Sequence, residues 1–369
     1  GELFDGTMEL LDLSSNTGTA TVCGLAVDIG TTTVSGILVD LQSGVIIAKG
    51  STGNGQIRFG ADVINRIVEQ QKTGGVEKLQ KSIISETLLP LIDVLCHDAG
   101  IPKKRIFRMT VASNTTMNHL LLGINADFLR TEPYIPAFFS LRPILTRSLG
   151  IELAPAAKLC IAPNIGSYVG GDITAGTLAS MIWNTHSLSM LIDLGTNGEI
   201  VFGNSEFLMS CACSAGPAFE GGDISCGMRA TQGAIEACSI DRETMDPEMT
   251  VIGNIRPVGL CGSGIIDVIA ELFRCGIING KGKFIREGNR IKRDEFGIGS
   301  YVLAFPGESA SGRQVAINEV DIDNFIRAKG AIFSAVMTLI TSLGFTPDML
   351  EHVSVAGGIL MYAVYSRRH

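Results

Sequence analysis

At 369 residues the chain exceeds one ordinary core and suits two domains of roughly 150 residues each. Hydrophobic residues make up 46% and charged residues 18%, which excludes a disordered composition. The formal net charge of −8 argues against broad affinity for nucleic acid or for an anionic membrane surface, since both need a basic face.

No run of about 18 uninterrupted apolar residues is present, and no basic and then apolar leader opens the chain. The most apolar segments, 264–273 and 331–343, carry polar residues at helical spacing and read as buried helices. The nine cysteines are odd in number, lack a repeating spacing and include no Cys-x-x-Cys. A disulfide framework is therefore not expected, and a reducing cytoplasm is. Cys211, Cys213 and Cys226 form a sharper alternative, a metal or iron–sulfur site, although their spacing matches no standard ligand pattern.

Residues 1–21 are polar, with Ser14-Ser15-Asn16-Thr17-Gly18-Thr19 as a linker-like stretch, so an upstream segment is expected to precede them. Strands are predicted over 24–28, 34–40 and 45–50, a meander whose first turn is Gly30-Thr31-Thr32-Thr33. Helical spacing follows from Ala61 to Leu91, broken at Gly74-Gly75. A strand over 105–111 leads into a helix over 115–122, capped by Ser113 or Asn114. His119 on that helix reads as a satisfied core or interface histidine. Residues 126–162 are Pro-rich and irregular, and long loops of this kind are candidates for a partner-facing surface.

The pattern then recurs. Strands over 189–193, 198–203 and 207–211 enclose Asp193-Leu194-Gly195-Thr196-Asn197-Gly198, which lies 165 residues after Asp28-Ile29-Gly30-Thr31-Thr32-Thr33. A Gly-rich segment, a helix over 263–274, a looser stretch over 279–300, a helix over 321–343 and a strand over 352–355 complete the chain.

Each loop is a tight turn in which glycine permits close backbone approach and aims N–H groups at phosphate oxygens. Threonine hydroxyls add donors without charge. An aspartate beside a phosphate would repel it, and makes sense where hydrated Mg²⁺ lies between, held by Asp28 and Asp193. One such loop is as readily an ordinary hairpin turn. Two copies in matching strand contexts point to a nucleotide.

The two loops resemble the phosphate loops of the acetate and sugar kinase, Hsp70 and actin superfamily. That resemblance implies an α/β fold of two duplicated ribonuclease-H-like domains, the actin-like ATPase fold, with a nucleotide cleft between them. It places a linker over 1–21, one domain over 22–187 and the second over 188–369, with the C-terminus expected to be cut short. Val355-Ala356-Gly357-Gly358 resembles the superfamily's adenosine loop, and Arg327 and Lys329 stand where such proteins pack side chains on adenine or ribose; a solvated helix face is the plain alternative.

A closer resemblance is to the C-terminal domain of reductive activators of corrinoid-dependent proteins. It is carried by Val111-Ala112-Ser113-Asn114-Thr115-Thr116-Met117-Asn118-His119-Leu120, Tyr168-Val169-Gly170-Gly171-Asp172, Ser214-Ala215-Gly216-Pro217-Ala218-Phe219-Glu220-Gly221 and Gly259-Leu260-Cys261-Gly262-Ser263-Gly264. The resemblance implies ATP hydrolysis coupled to reduction of Co(II) corrinoid to Co(I) on a partner protein of a methyl-transfer or O-demethylation system. The electron would come from an upstream ferredoxin-like [2Fe–2S] domain of the same polypeptide. The plant-type Cys-x₄-Cys-x₂-Cys run is missing here, so no iron–sulfur cluster is expected in this chain.

On this reading Asp28, Gly30, Thr31, Thr32, Thr33, Gly195, Thr196 and Asn197 bind the phosphates or their magnesium. Asp193, Asp172 and Glu220 are the catalytic candidates, for phosphoryl transfer to water. Asp172 orients the attacking water or caps the helix it opens. Glu220 contacts metal-bound water or serves a turn. Gly262 and Ser263 open a helix, with Ser263 as N-cap or nucleotide contact. A small-molecule kinase of the same superfamily is the competing function, and homodimerisation stays open.

Overall fold

The computed structural model describes residues 10–11 and 21–357, so most of the linker-like start, Gly358 and the eleven residues after it lie outside the described residues. The chain divides into two compact units, the first ending at Ala179 and the second beginning at Ser180.

In the first unit, β1 (Cys23–Ile29), β2 (Thr33–Asp40) and β3 (Ile46–Gly53) form the expected antiparallel meander. Alternation explains it: Cys23, Leu25, Val27 and Ile29 fall on one face and are all buried. The helical run resolves into α1 (Val63–Gln70), α2 (Gly75–Ile83) and α3 (Leu89–Ala99), with a π turn at Ile84–Leu88 before α3. Pro90 explains the widening, since it offers no N–H to the preceding turn. β4 (Ile106–Ser113) runs parallel to β1 and leads into α4 (Thr115–Leu122).

Asn114, not Ser113, is the N-cap of α4, its side chain accepting from the Met117 N–H. The irregular 126–162 segment contains two strands that its prolines obscure: β5 (Ile144–Leu145), and β6 (Lys158–Ile161) parallel to β4. The sheet order is β3-β2-β1-β4-β6-β5. α5 (Gly171–Ser180) ends the unit.

The second unit repeats this plan. β7 (Ser189–Leu194), β8 (Gly198–Gly203) and β9 (Leu208–Cys213) form the meander. Beside it lie β10 (Ala234–Ile240), β11 (Pro247–Val251) and β12 (Gly259–Leu260), then α6 (Gly262–Arg274). The looser stretch holds β13 (Ile291–Arg293) and the start of β14 (Gly299–Ala304), which pairs with β15 (Val315–Asn318). α7 (Glu319–Ser342) opens on a capping box between Asn318 and Asp321, and β16 (His352–Ala356) returns parallel to β7.

The order β16-β7-β8-β9 reproduces β4-β1-β2-β3, so the duplication read from the two loops is a duplication of sheets. Among the described residues α7 is the one helix long and apolar enough to cross a membrane. It is not the wholly buried helix its sequence led us to expect: Ile322, Phe325, Ala328 and Ile332 enter the core, while Phe333 stands 64% exposed.

Candidate nucleotide site

The two Asp-x-Gly-Thr loops occupy equivalent places. Each joins the first two strands of its sheet through three residues, 30–32 and 195–197. Each is closed by one backbone bond, Gly30 N–H to Thr33 O at 3.0 Å and Gly195 N–H to Asn197 O at 3.0 Å. Asp28 lies opposite Ala112 of the parallel neighbour β4, and Asp193 lies opposite Ala356 of β16. Both loops therefore cap the carboxyl ends of parallel strands, where open α/β sheets bind ligands.

Loop 1 is held from beneath by three polar residues, of which the sequence reading named only Asn114, as a helix cap. Asn54 donates from Nδ2 to Gly30 O at 2.9 Å, and its backbone N–H donates to Thr32 O at 2.9 Å. Asn114 donates to Thr31 Oγ1 at 3.2 Å, so the α4 cap also fixes a loop hydroxyl. Arg66 of α1 donates to the Thr31 carbonyl. Gly30 has no room for a side chain, since a Cβ there would lie 2.6 Å from Thr33 O. The available signal was helical spacing: Arg66 shares its face with Ile67 and Gln70, so a charge falls on the buried stripe.

Loop 2 is backed differently. Cys213 donates its thiol to Gly198 O at 3.2 Å, and Ile332 of α7 packs against Gly198. Gly357, with φ at 119°, presses on Leu194, where an added Cβ would meet the carbonyl at 2.3 Å. The β7–β8 register sets Glu199 opposite Asp193 on the same face. Two carboxylates whose Cβ atoms stand about 5 Å apart form a donor pair the sequence reading did not include. Among the described residues no group of three or more ligating side chains forms a metal cage.

Beyond β9 the chain turns through Ser214, Ala215 and Gly216 into a 3₁₀ turn, Pro217–Glu220, which places Glu220 at its end. A cavity of about 190 Å³ opens there, lined by Ser214, Gly216, Asp223, Asn324 and Arg327 among others. It is smaller than the roughly 300–1,000 Å³ of a complete small-molecule site and suits part of a ligand. Its wall is fixed by α7: Asn324 donates to Asp223 O at 2.8 Å, and Asp321 accepts from the Ser225 N–H at 2.8 Å. Arg327 reaches this cavity while paired with Asp323. Lys329 is exposed and is not among the lining residues.

Asp172 sits in the first turn of α5, one residue inside the helix, and accepts from the Ile173 N–H at 2.8 Å. Ser263 is not the N-cap of α6. Cys261 holds that position, because its extended backbone precedes Gly262, and Ser263 lies buried inside the first turn with its hydroxyl 3.3 Å from the Cys261 sulfur. Cys211, Cys213 and Cys226 do not form a metal group: Cys213 bonds Gly198, while Cys226 points at Gln314 O. All nine cysteines are free.

Comparison with known proteins accounts for this arrangement. Residues 23–185 match a family model described as the RACo middle region, and residues 187–363 match the C-terminal domain of RACo, the ASKHA domain. The corrinoid activation enzyme RamQ of Eubacterium limosum is 34% identical over 332 residues, covering 87% of this chain and 55% of that protein. The [Co(II) methylated amine-specific corrinoid protein] reductase of Methanosarcina barkeri is 28% identical, covering 54% of this chain and 37% of its own length. A solved structure of a reductive activator for corrinoid, iron–sulfur protein superposes with a TM-score of 0.87 at 45% identity, covering 94% of this chain and 55% of that one. The chain thus spans about half the length, or less, of the relatives it matches.

Proposed function

The chain belongs to the family of corrinoid reductive activators, carrying its middle region and its ASKHA domain, and on that premise we propose that it binds and hydrolyses Mg-ATP to drive reduction of Co(II) corrinoid to Co(I) on a partner protein. One observation carries this reading: the Asp-x-Gly-Thr hairpin occurs twice, at the same place in two sheets of the same strand order.

In this proposal Gly30, Thr31, Thr32 and Thr33 donate to phosphate oxygens from loop 1, and Gly195, Thr196 and Asn197 from loop 2. Asp28 and Asp193, with Glu199, hold the waters of Mg²⁺, which when bound neutralises phosphate charge. Asp172 and Glu220 orient the attacking water. Asn324, Arg327 and the carbonyl side of Asp223 take the nucleoside end, with Gly262, Ser263, Lys329, Gly357 and Gly358 serving the same end of the ligand. Hydrolysis by such a site needs positioning and charge neutralisation, and no covalent nucleophile. ATP acts as an energy switch through differential affinity for the partner in the two nucleotide states. The electron is supplied by a ferredoxin-like [2Fe–2S] domain of the parent polypeptide, in the cytoplasm, within a methyl-transfer or O-demethylation system.

Titration with Mg-ATP by calorimetry, followed by phosphate release with and without a Co(II) corrinoid protein, tests this. Binding, with release accelerated by the corrinoid protein, is expected. Failure to bind ATP at millimolar concentration would overturn it, and transfer of phosphate to a small molecule would favour a kinase.

A further inference from the structure

Arg66 is the largest fully buried side chain among the described residues. Its Nε donates to Gly60 O at 3.0 Å, Nη1 contacts Gln56 Oε1 at 3.3 Å and the Met117 sulfur at 3.2 Å, and Nη2 reaches the Thr31 carbonyl. Every one of these acceptors is neutral. Asp62, at the start of α1, is the acidic group that acts on it. Burial pushes the guanidinium down to about 10, with Asp62 acting in the opposite sense, so Arg66 stays charged at neutral pH. Enclosing a cation without a carboxylate is costly, and packing alone would be served better by an apolar side chain of similar volume.

What this charge faces is the phosphate loop. In a trans peptide the Thr31 carbonyl and the Thr32 N–H point in opposite directions, so a guanidinium on the carbonyl polarises a donor directed away from the interior. We infer that Arg66 is a positioning residue for nucleotide phosphates, fixing the Thr31–Thr32 peptide from beneath and supplying a buried positive charge behind loop 1. The inference rests on the nucleotide reading above. Asn54 and Asn114 fix the loop's shape; Arg66 adds the charge that an uncharged turn lacks.

The charge makes a prediction that a bracing role does not. Competition against a fluorescent nucleotide would compare Mg-ATP, Mg-ADP and AMP on the wild-type chain and on Arg66→Gln, which keeps a donor for Thr31 but no charge. The expected loss is graded by the number of phosphates that can reach loop 1, about thirtyfold for Mg-ATP, about tenfold for Mg-ADP and under about threefold for AMP. Equal losses for all three, or none, would overturn the inference. Should Arg66→Gln not fold by circular dichroism, Arg66→Met takes its place with the same outcomes. The wild type gives an independent reading. A buried charge is poorly screened, so its ATP-over-AMP preference should change less than about threefold between low salt and roughly 0.5 M. A steep fall would place the decisive charge at the surface and overturn the inference. A wild type that binds none of the three nucleotides would instead defeat the nucleotide reading itself.

Discussion

Gly357 and Asp193 face each other's strands at the end of the second sheet, and each supports a prediction of its own. Gly357 combines a left-handed φ of 119° with a Cβ position 2.3 Å from Leu194 O. Gly357→Ala therefore has to strain its own backbone and push Leu194, the residue before Gly195, out of line. A cost of about 1–3 kcal/mol in the unfolding of this unit is expected, with weaker Mg-ATP binding alongside. Calorimetric melting and nucleotide titration of the variant check both, and an unchanged melting temperature would contradict the close contact. Asp193→Ala removes one of the two carboxylates that the register sets side by side. Hydrolysis of Mg-ATP is expected to fall by about a hundredfold or more, with AMP binding little affected. Unchanged phosphate release in that variant would refute the metal role.

At the scale of elements, α4 ties the sheet to the 131–142 segment through one histidine. His119 is buried, its Nδ1–H donating to Thr115 O at 2.7 Å and its Nε2 accepting the Ala137 N–H at 3.0 Å, with Phe138 stacked on its ring. Burial lowers its pKa below the ordinary 6.5. The unfolded chain therefore takes up a proton before the folded one does. Stability is full above about pH 6.5 and declines as pH falls toward the depressed folded value. A proton on Nε2 also displaces the Ala137 N–H, so exchange protection at Ala137 should hold above about pH 6.5 and fall only as pH drops toward the depressed folded value. In His119→Gln that dependence should flatten, and a wild-type profile as flat as the variant's would contradict it. His119 was legible as a satisfied histidine because it sits on an apolar helical stripe, and the two meanders were legible because an apolar strand ending in Asp-x-Gly-Thr recurs after 165 residues. β6 was not, since its four residues emerge from a proline-rich stretch and gain their place only by pairing with β4. β13 and β14 were obscured because charged residues such as Lys292 and Arg293 occupy the exposed edge of a small sheet. Arg66 was passed over for a different reason: its place on the buried stripe of α1 was the only sequence signal, and the neutral acceptors that enclose it come from tertiary contacts.

Over the whole molecule, the proposed function separates energy coupling from electron delivery. Reduction of Co(II) needs a one-electron donor, and thiols serve only when exposed and readily ionised. Five of the nine thiols of this chain are otherwise disposed. Burial raises the pKa of Cys23, Cys96, Cys211 and Cys213, and pushes Cys238 up to about 12. The features that remain are two loop-bearing sheets able to answer a nucleotide. Incubated with Mg-ATP and a Co(II) corrinoid protein but no iron–sulfur donor, this chain is expected to release phosphate while the visible spectrum of Co(II) persists. Adding a reduced [2Fe–2S] protein should then let the Co(I) band grow only with ATP present. Growth of that band from this chain and ATP alone would mean that the electron path runs through its own residues, and the separation of energy from electron supply would have to be abandoned.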